Sequence, residues 1–548
     1  MAAISPSPPS SIFAAPGRRF FDRRFPLLRR CSTAPRLAVS SRLFSSRSSP
    51  SGTNGFLEDP PPSSSGGDVL HAGPPPSPRS AEGVPVFVTL PANVVGLGGR
   101  IVNRKAMVAS LKALSLAGVE GVVLEFWWGI VERDNPGVYD WGGYADLVSM
   151  ASRHGLKVRA IMAFHQCGSG PGDPCWIPLP QWVLKEMDRE PDLAYSDRYG
   201  RRNKEYISLG CDNLPVLKGR SPIQTYSDFM RSFRDTFKHF LGIVITEVQV
   251  GMGPAGELRY PSCPSEKLKQ PSSPPELGEF QCYDKNMLAS LTACAQNIGM
   301  PEWGYGGPLG VSHLTQNPEE TTFFRSNGSW NSDYGKFFLE WYSGLLLLHG
   351  EILCMATTAI FLHTGVKIFA KVAGIYWHYL TCSHPSELTA GYYNTLTRDG
   401  YLPLARLFSK YKMILCCSCF DIQDAEEIKG SKSSPEGFLR QLVYAARMHN
   451  LPLSGENSGT ILDDKSLDQV IKSSRLSSAG AYESSLSFNY VRMDRQLFDP
   501  HNWPRFTRFV RQMSNARTFQ AKLDFRGRDQ YHSSCSATEE VTRSFAFY

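Results

Sequence analysis

Short runs of β-branched and aromatic residues recur along the chain, and segments with apolar residues at helical spacing fall between them. The strand candidates are VPVFVTLP (84–91), GVVLEFWW (121–128), KVRAIMAFH (157–165) and ITEVQVGM (245–252). They continue with KIFAKVAGIYW (367–377), KMILCCSC (412–419), LPLSGEN (451–457) and SLSFNYVRM (485–493). NRKAMVASLKALSLAG reads as a helix between the first two runs, and SPEGFLRQLVYAARMH as a helix opened by a Ser cap with Glu436 close behind. Strands alternating with helices predict parallel strands joined by crossovers, and eight such units close naturally into a (β/α)8 TIM barrel. A doubly wound open sheet is the rival, and no GxGxxG opens the first helix to support it. The long spacings after the third and fourth strands predict βα-loop insertions at the C-terminal face, where barrel active sites are built.

The ends of the chain break this pattern. Residues 1–47 are rich in Arg and Ser and poor in acids, the composition of an organelle transit peptide; it does not by itself separate plastid from mitochondrion. Residues 48–83 are a Pro/Ser/Gly linker, the barrel is expected over 84–514, and 515–548 reads as a polar tail. The net charge of +7 comes from the head: residues 1–57 hold nine Arg and one acid, so the remainder is nearly neutral and suggests no nucleic-acid partner. The most apolar stretch, YSGLLLLHGEILCMATTAIFLH, is interrupted by His349, Gly350 and Glu351 and reads as a buried helix rather than a membrane span. Thirteen Cys are scattered without paired CxxC motifs, and the cluster Cys416, Cys417 and Cys419 lies in an apolar run whose neighbours alternate faces. Buried thiols in a reducing compartment fit that pattern better than a metal site.

Polar residues collect where the predicted strands end. Glu125 lies on the second strand, His165 ends the third with Asp173 in the loop beyond, and Glu257 follows the fourth within GPAGELRYPS. Lys371 and Tyr376 belong to the fifth, Ser418 and Asp421 to the sixth, Glu456 and Asn457 to the seventh, and Arg492 to the eighth. A mouth lined by carboxylates, with Trp127, Trp128 and Trp377 nearby, suits a sugar. Glu257 and Glu456 fall on roughly opposite sides of the ring, and paired carboxylates flanking a bond are what glycoside hydrolysis requires. Taken singly, each has a plain structural reading as a capping, solvated or core residue.

GPAGELRYPS, HQCG followed by GD, PLPQWV, GEFQCYDK, SELTAGYYNT followed by DGY, and GEN together resemble the plant β-amylases of glycoside hydrolase family 14, from Val84 to about Ser514. The resemblance implies a barrel that needs no cofactor and releases β-maltose, with inversion, from the non-reducing ends of α-1,4-glucans. It implies Glu257 as general acid, Glu456 as general base, and Asp173 on a flap that closes over substrate. Glu125, His165, Lys371, Tyr376, Ser418, Asn457, Ser458 and Arg492 would hold the glucan. The N-terminal segment is similar to that of chloroplast members, which implies the plastid stroma.

The chain departs from the family pattern at several of these positions. Glu125 stands for Asp, Tyr376 for His, Cys416 for Asn and Asp421 for Glu; GSGPGD replaces GGNVGD, and Ser458-Gly459 replaces Ala-Leu. One added methylene moves a carboxylate by about 1.3 Å, against the roughly 0.5 Å tolerance of a functional constellation. Two readings follow: a β-amylase of reduced turnover, and a glucan-binding or regulatory relative with little or none. A retaining barrel glycosidase is a third, separable by product anomer.

Overall fold

All eight predicted strands form. They are β1 (Val86–Thr89), β2 (Gly121–Trp127), β3 (Lys157–Ala163), β4 (Ile245–Val250), β5 (Lys367–Lys371), β6 (Ile414–Cys417), β7 (Leu453–Glu456) and β8 (Ser487–Tyr490). Every neighbouring pair is parallel and β1 pairs with both β2 and β8, so the sheet closes into a barrel in sequence order. The computed structural model describes residues 83–262, 277–311, 317–428, 430–461, 463–478 and 487–521. The expected transit peptide and nearly all of the linker lie outside these residues, as does the tail beyond 521.

The strands read as almost unbroken apolar runs because both faces are covered, by helices outside and by packed side chains within. Gly121 marks how close that packing is: a Cβ there would lie 2.6 Å from the Phe87 ring. Phe87, Val123 and Ile161 form a small apolar cluster separate from the main core. Near this cluster, Arg159 on β3 is fully buried and reaches Glu247 on β4 at 2.6 Å, Ser454 at 3.1 Å and Ser487 at 2.9 Å. Its guanidinium also lies 4.1 Å from the centre of the Phe369 ring. A buried charge without such partners would be strongly disfavoured.

The two long insertions occupy the expected places, after β3 and after β4. The first contains an antiparallel hairpin, Ala194–Ser196 with Arg202–Ile207, that hydrophobic periodicity did not reveal. The second contains the helix Asp333–Ile360, long and apolar enough to cross a membrane by length and composition. Here it buries Phe338, Trp341, Tyr342, Leu346 and Leu353 in the core. His349 at its middle meets Asp212 at 2.7 Å and the Met252 carbonyl at 3.0 Å, which ties the helix to the segment following β4. The first residues of the expected polar tail form a short helix, Ala516–Ala521, with Phe519 buried and its carbonyl accepting from Arg475.

Candidate active site

Glu257 owes its position to backbone chemistry on both sides of its turn. A 3-10 turn at Pro254–Gly256 follows β4, with Ala255 and Gly256 both at positive φ. A side chain at Gly253 would strike the Glu257 carbonyl at 2.5 Å, so only glycine lets the chain fold back there. The segment then pairs with the end of β5: Glu257 and Lys371 form a parallel bridge, and Leu258 N–H donates to the Lys371 carbonyl at 2.9 Å. Tyr392, from the GYYN motif, clamps this join by donating to Leu258 O at 2.9 Å while accepting from Ala373 N–H at 2.9 Å. Arg259 folds back to hold Glu257 Oε2 at 2.8 Å and donates to Tyr260 O at 3.2 Å, and the Tyr260 ring stacks on Tyr342 at 3.9 Å. Arg259 and Tyr260 thus brace the turn that carries Glu257.

Glu456 ends β7 and is nearly inaccessible. Its Oε1 accepts from Asn489 at 2.8 Å and from the Cys416 thiol at 3.4 Å, and Oε2 lies 2.9 Å from Lys371 Nζ. Asn489 is oriented in turn by Thr89, which donates to its Oδ1 at 2.9 Å. Burial alone would raise the Glu456 carboxyl, but Lys371, Asn489 and Arg159 outweigh it and hold the group below the usual glutamate range. Lys371 loses solvation too, yet the two glutamates beside it push its pKa upward, so it stays an ammonium. Its Nζ is 3.6 Å from Glu257 Oε1 and 2.9 Å from Glu456 Oε2, which puts those two oxygens at most about 6.5 Å apart. One cation thus stands between two carboxylates carried by different strands.

The other nominated residues divide by what their side chains already hold. His165 follows β3 with its ring centre 5.1 Å from that of Trp127, edge to face, and a Cβ on Gly256 would touch it at 3.4 Å, so it lies against the turn that carries Glu257. Asp173 is half-buried on a loop whose base is zipped by two Cys167–Ile177 backbone bonds; its carboxylate accepts from Cys175 N–H at 2.8 Å and Ser169 N–H at 3.2 Å. Tyr376 is half-buried, stacked on Trp377 at 4.5 Å, and burial raises its hydroxyl far enough to keep it a donor. Ser418 packs against Gly374, where any Cβ would come within 2.6 Å of its hydroxyl. Asn457 and Ser458 are engaged internally. Asn457 donates to Gly459 O at 2.7 Å and accepts from Val491 N–H at 2.7 Å, while the Ser458 hydroxyl accepts from Cys419 N–H at 2.9 Å. Asp421 receives Ser458 N–H at 2.8 Å, and burial lifts its carboxyl to about 6. These three shape the loop after Glu456 with their side chains. Glu125 and Arg492 meet each other in a two-bond ion pair at 2.8 and 3.0 Å.

One expectation changes with the structure. Trp127 and Trp128 are 1% and 0% exposed: Trp128 packs among Phe164, Trp182 and Tyr226, and Trp127 donates to the Ala92 carbonyl. They are core residues rather than stacking platforms, which leaves Tyr376 and Trp377 as the accessible aromatic pair. Asn489, Thr89 and Arg159 were not anticipated. They lie in SFNY, VFVT and VRA, polar residues inside strands that should be apolar on both faces, which marks them as unusual without saying what they meet. Cys416, Cys417 and Cys419 are buried free thiols, and no His/Cys/Asp/Glu group capable of holding a metal occurs among the described residues.

Residues 87–518 match the family model described as "Glycosyl hydrolase family 14". The chain is 51% identical over 440 residues to "Beta-amylase 1, chloroplastic" of Arabidopsis thaliana, covering 79% of this chain and 76% of that protein. It is 40% identical over 436 residues to "Beta-amylase" of Glycine max, covering 78% and 87%. Among solved structures, the catalytic domain of a β-amylase from Paenibacillus polymyxa superposes with a TM-score of 0.63 at 24% identity, covering 79% of this chain and 98% of that one, a likeness of fold.

Proposed function

The chain belongs to glycosyl hydrolase family 14, and from that membership we propose that it hydrolyses α-1,4-glucans from their non-reducing ends, releasing β-maltose with inversion in the chloroplast stroma. The observation that carries this reading is the Lys371 ammonium between two buried carboxylates. Glu456, held ionised by Lys371 and Asn489, takes a proton from water as the water attacks the anomeric carbon. Glu257 gives its proton to the departing glycosidic oxygen, with Arg259 fixing one carboxyl oxygen and leaving Oε1 toward the mouth. The Lys371 ammonium between the two groups keeps Glu456 ionised and orients both. His165, Asp173, Lys371, Tyr376, Ser418 and Trp377 supply donors, acceptors and an aromatic face for the sugar. The loop of Asn457 and Ser458, and the Glu125–Arg492 pair, frame the pocket. Asp173 lies on a loop that closes over the bound chain and excludes water from the reacting bond.

A second reading, a glucan-binding relative with little turnover, draws on two features: a thiol beside the base and an ion pair at the rim stand where the family has Asn and Asp. Incubating the full chain with maltoheptaose decides between the two. Maltose should accumulate from the first time point, and Glu257→Gln and Glu456→Gln should each cut its release by about 10³-fold or more. Glucan binding without maltose in the parent would select the second reading.

A further inference from the structure

Glu125 and Arg492 stand on opposite sides of the end of β1. Glu125 projects from β2, Arg492 follows β8, and both strands flank β1 in the barrel. Both carboxylate oxygens of Glu125 receive guanidinium bonds, at 2.8 Å from Nη1 and 3.0 Å from Nη2. Nη1 also donates to the Leu90 carbonyl at 3.0 Å, at the C-terminal end of β1. The pair therefore bridges the end of β1 at the rim of the mouth and is anchored there. Burial would raise the carboxyl of Glu125, but Arg492 more than offsets that, with help from His165 and Lys371, so the ion pair stays charged. Cys167 and Cys175, on the Asp173 loop, lie within electrostatic reach of the same guanidinium.

We infer that Glu125 and Arg492 form a latch over the end of β1, at the rim of the mouth, that a glucan end must open, so that Glu125 sets the affinity for the substrate end by competing with it for Arg492. This rests on the reading of the chain as an α-1,4-glucan site. The two-bond geometry is what makes the latch. A bidentate Arg–carboxylate pair is among the strongest side-chain interactions, and its planar fork fixes both partners. A hydroxyl arriving at either group must replace a bond between two opposite charges with one in which only one partner is charged. An aspartate here would end about 1.3 Å short of the guanidinium and could keep both bonds only by moving the strand ends. The longer side chain thus closes the pair in the empty protein and makes sugar entry compete with it.

The test measures maltoheptaose binding by calorimetry to the full chain carrying Glu257→Gln, which prevents turnover. The same background is then examined with Glu125→Gln, which keeps length and loses charge, and with Glu125→Asp, which keeps charge and loses reach. Thermal unfolding of each variant establishes that it is folded. A latch predicts tighter binding in both, by about tenfold for Glu125→Gln. It also predicts that Arg492→Gln, which opens the latch but removes the group the sugar gains, binds no tighter than the parent. Weaker binding in both Glu125 variants would make Glu125 a direct sugar ligand and overturn the latch while leaving the glucan site intact. Absence of maltoheptaose binding in every variant would overturn the glucan reading and the latch with it.

Discussion

Lys371 is the residue on which the two carboxylates depend. It lies 2.9 Å from Glu456 and 3.6 Å from Glu257, and the Glu456 carboxyl is low because this ammonium outweighs its burial. With Glu456 as the proposed base, which must be ionised to work, activity is expected above the pKa of Glu456 and lost as pH falls through it. Replacing Lys371→Met removes the dominant stabilisation of the anion. The acid limb of kcat/KM should then move up by about one pH unit, read from a pH–rate profile on maltoheptaose, together with a fall in kcat. An acid limb that does not move would mean that Asn489 and Arg159 suffice to hold the charge. Glu257 and Glu456 were legible as polar residues where strands end, Glu257 after the turn GPAG and Glu456 as the last residue of its strand. Asn489 and Arg159 were not, because a single polar residue inside an apolar run carries no sign of which face it takes or what it meets. The pairing of Glu125 with Arg492 was equally hidden: it joins residues 367 apart in sequence and depends on β1 lying between β2 and β8.

At the scale of elements, the strands were readable and their polar interior was not. β3 and β4 lie side by side with Arg159 opposite Glu247, so an ion pair crosses the ladder inside the barrel. Removing one partner strands a charge where water cannot reach it. Glu247→Gln should therefore cost about 3–5 kcal/mol of stability, measured by urea denaturation, a large share of what holds a typical domain together. The double change Arg159→Met with Glu247→Leu should recover most of that loss, because the pair's value lies in mutual neutralisation. If the single change is silent, the pair is not buried in solution. The hairpin of Ala194–Ser196 and Arg202–Ile207 escaped periodicity because one strand has three residues and the other, RNKEYI, is mostly charged or polar. Its order comes from tertiary contacts: Tyr195 beside Tyr260, and the Ser196 carbonyl accepting from Tyr283 N–H. The loop after β7 follows the same logic in part, since Asp421 from the loop after β6 holds it alongside its own Asn457 and Ser458.

Across the whole molecule, the barrel gathers residues from eight separate strands into one mouth, and the long insertions after β3 and β4 stand around it. The alternation of strand and helix predicted that closure, because eight βα units in sequence order have few other ways to cover both faces of a parallel sheet. The same closure sets Glu257 on β4's exit and Glu456 on β7's end so that they face one lysine from β5. The central claim is that these two carboxylates perform a single inverting displacement on an α-1,4-glucan. The measurement that tests it most directly is proton NMR of the first maltose released from soluble starch by the full chain, before mutarotation, with Glu257→Gln and Glu456→Gln run alongside. The account predicts β-maltose from the parent and none from either variant. α-Maltose from the parent, or unchanged release from either variant, would contradict it.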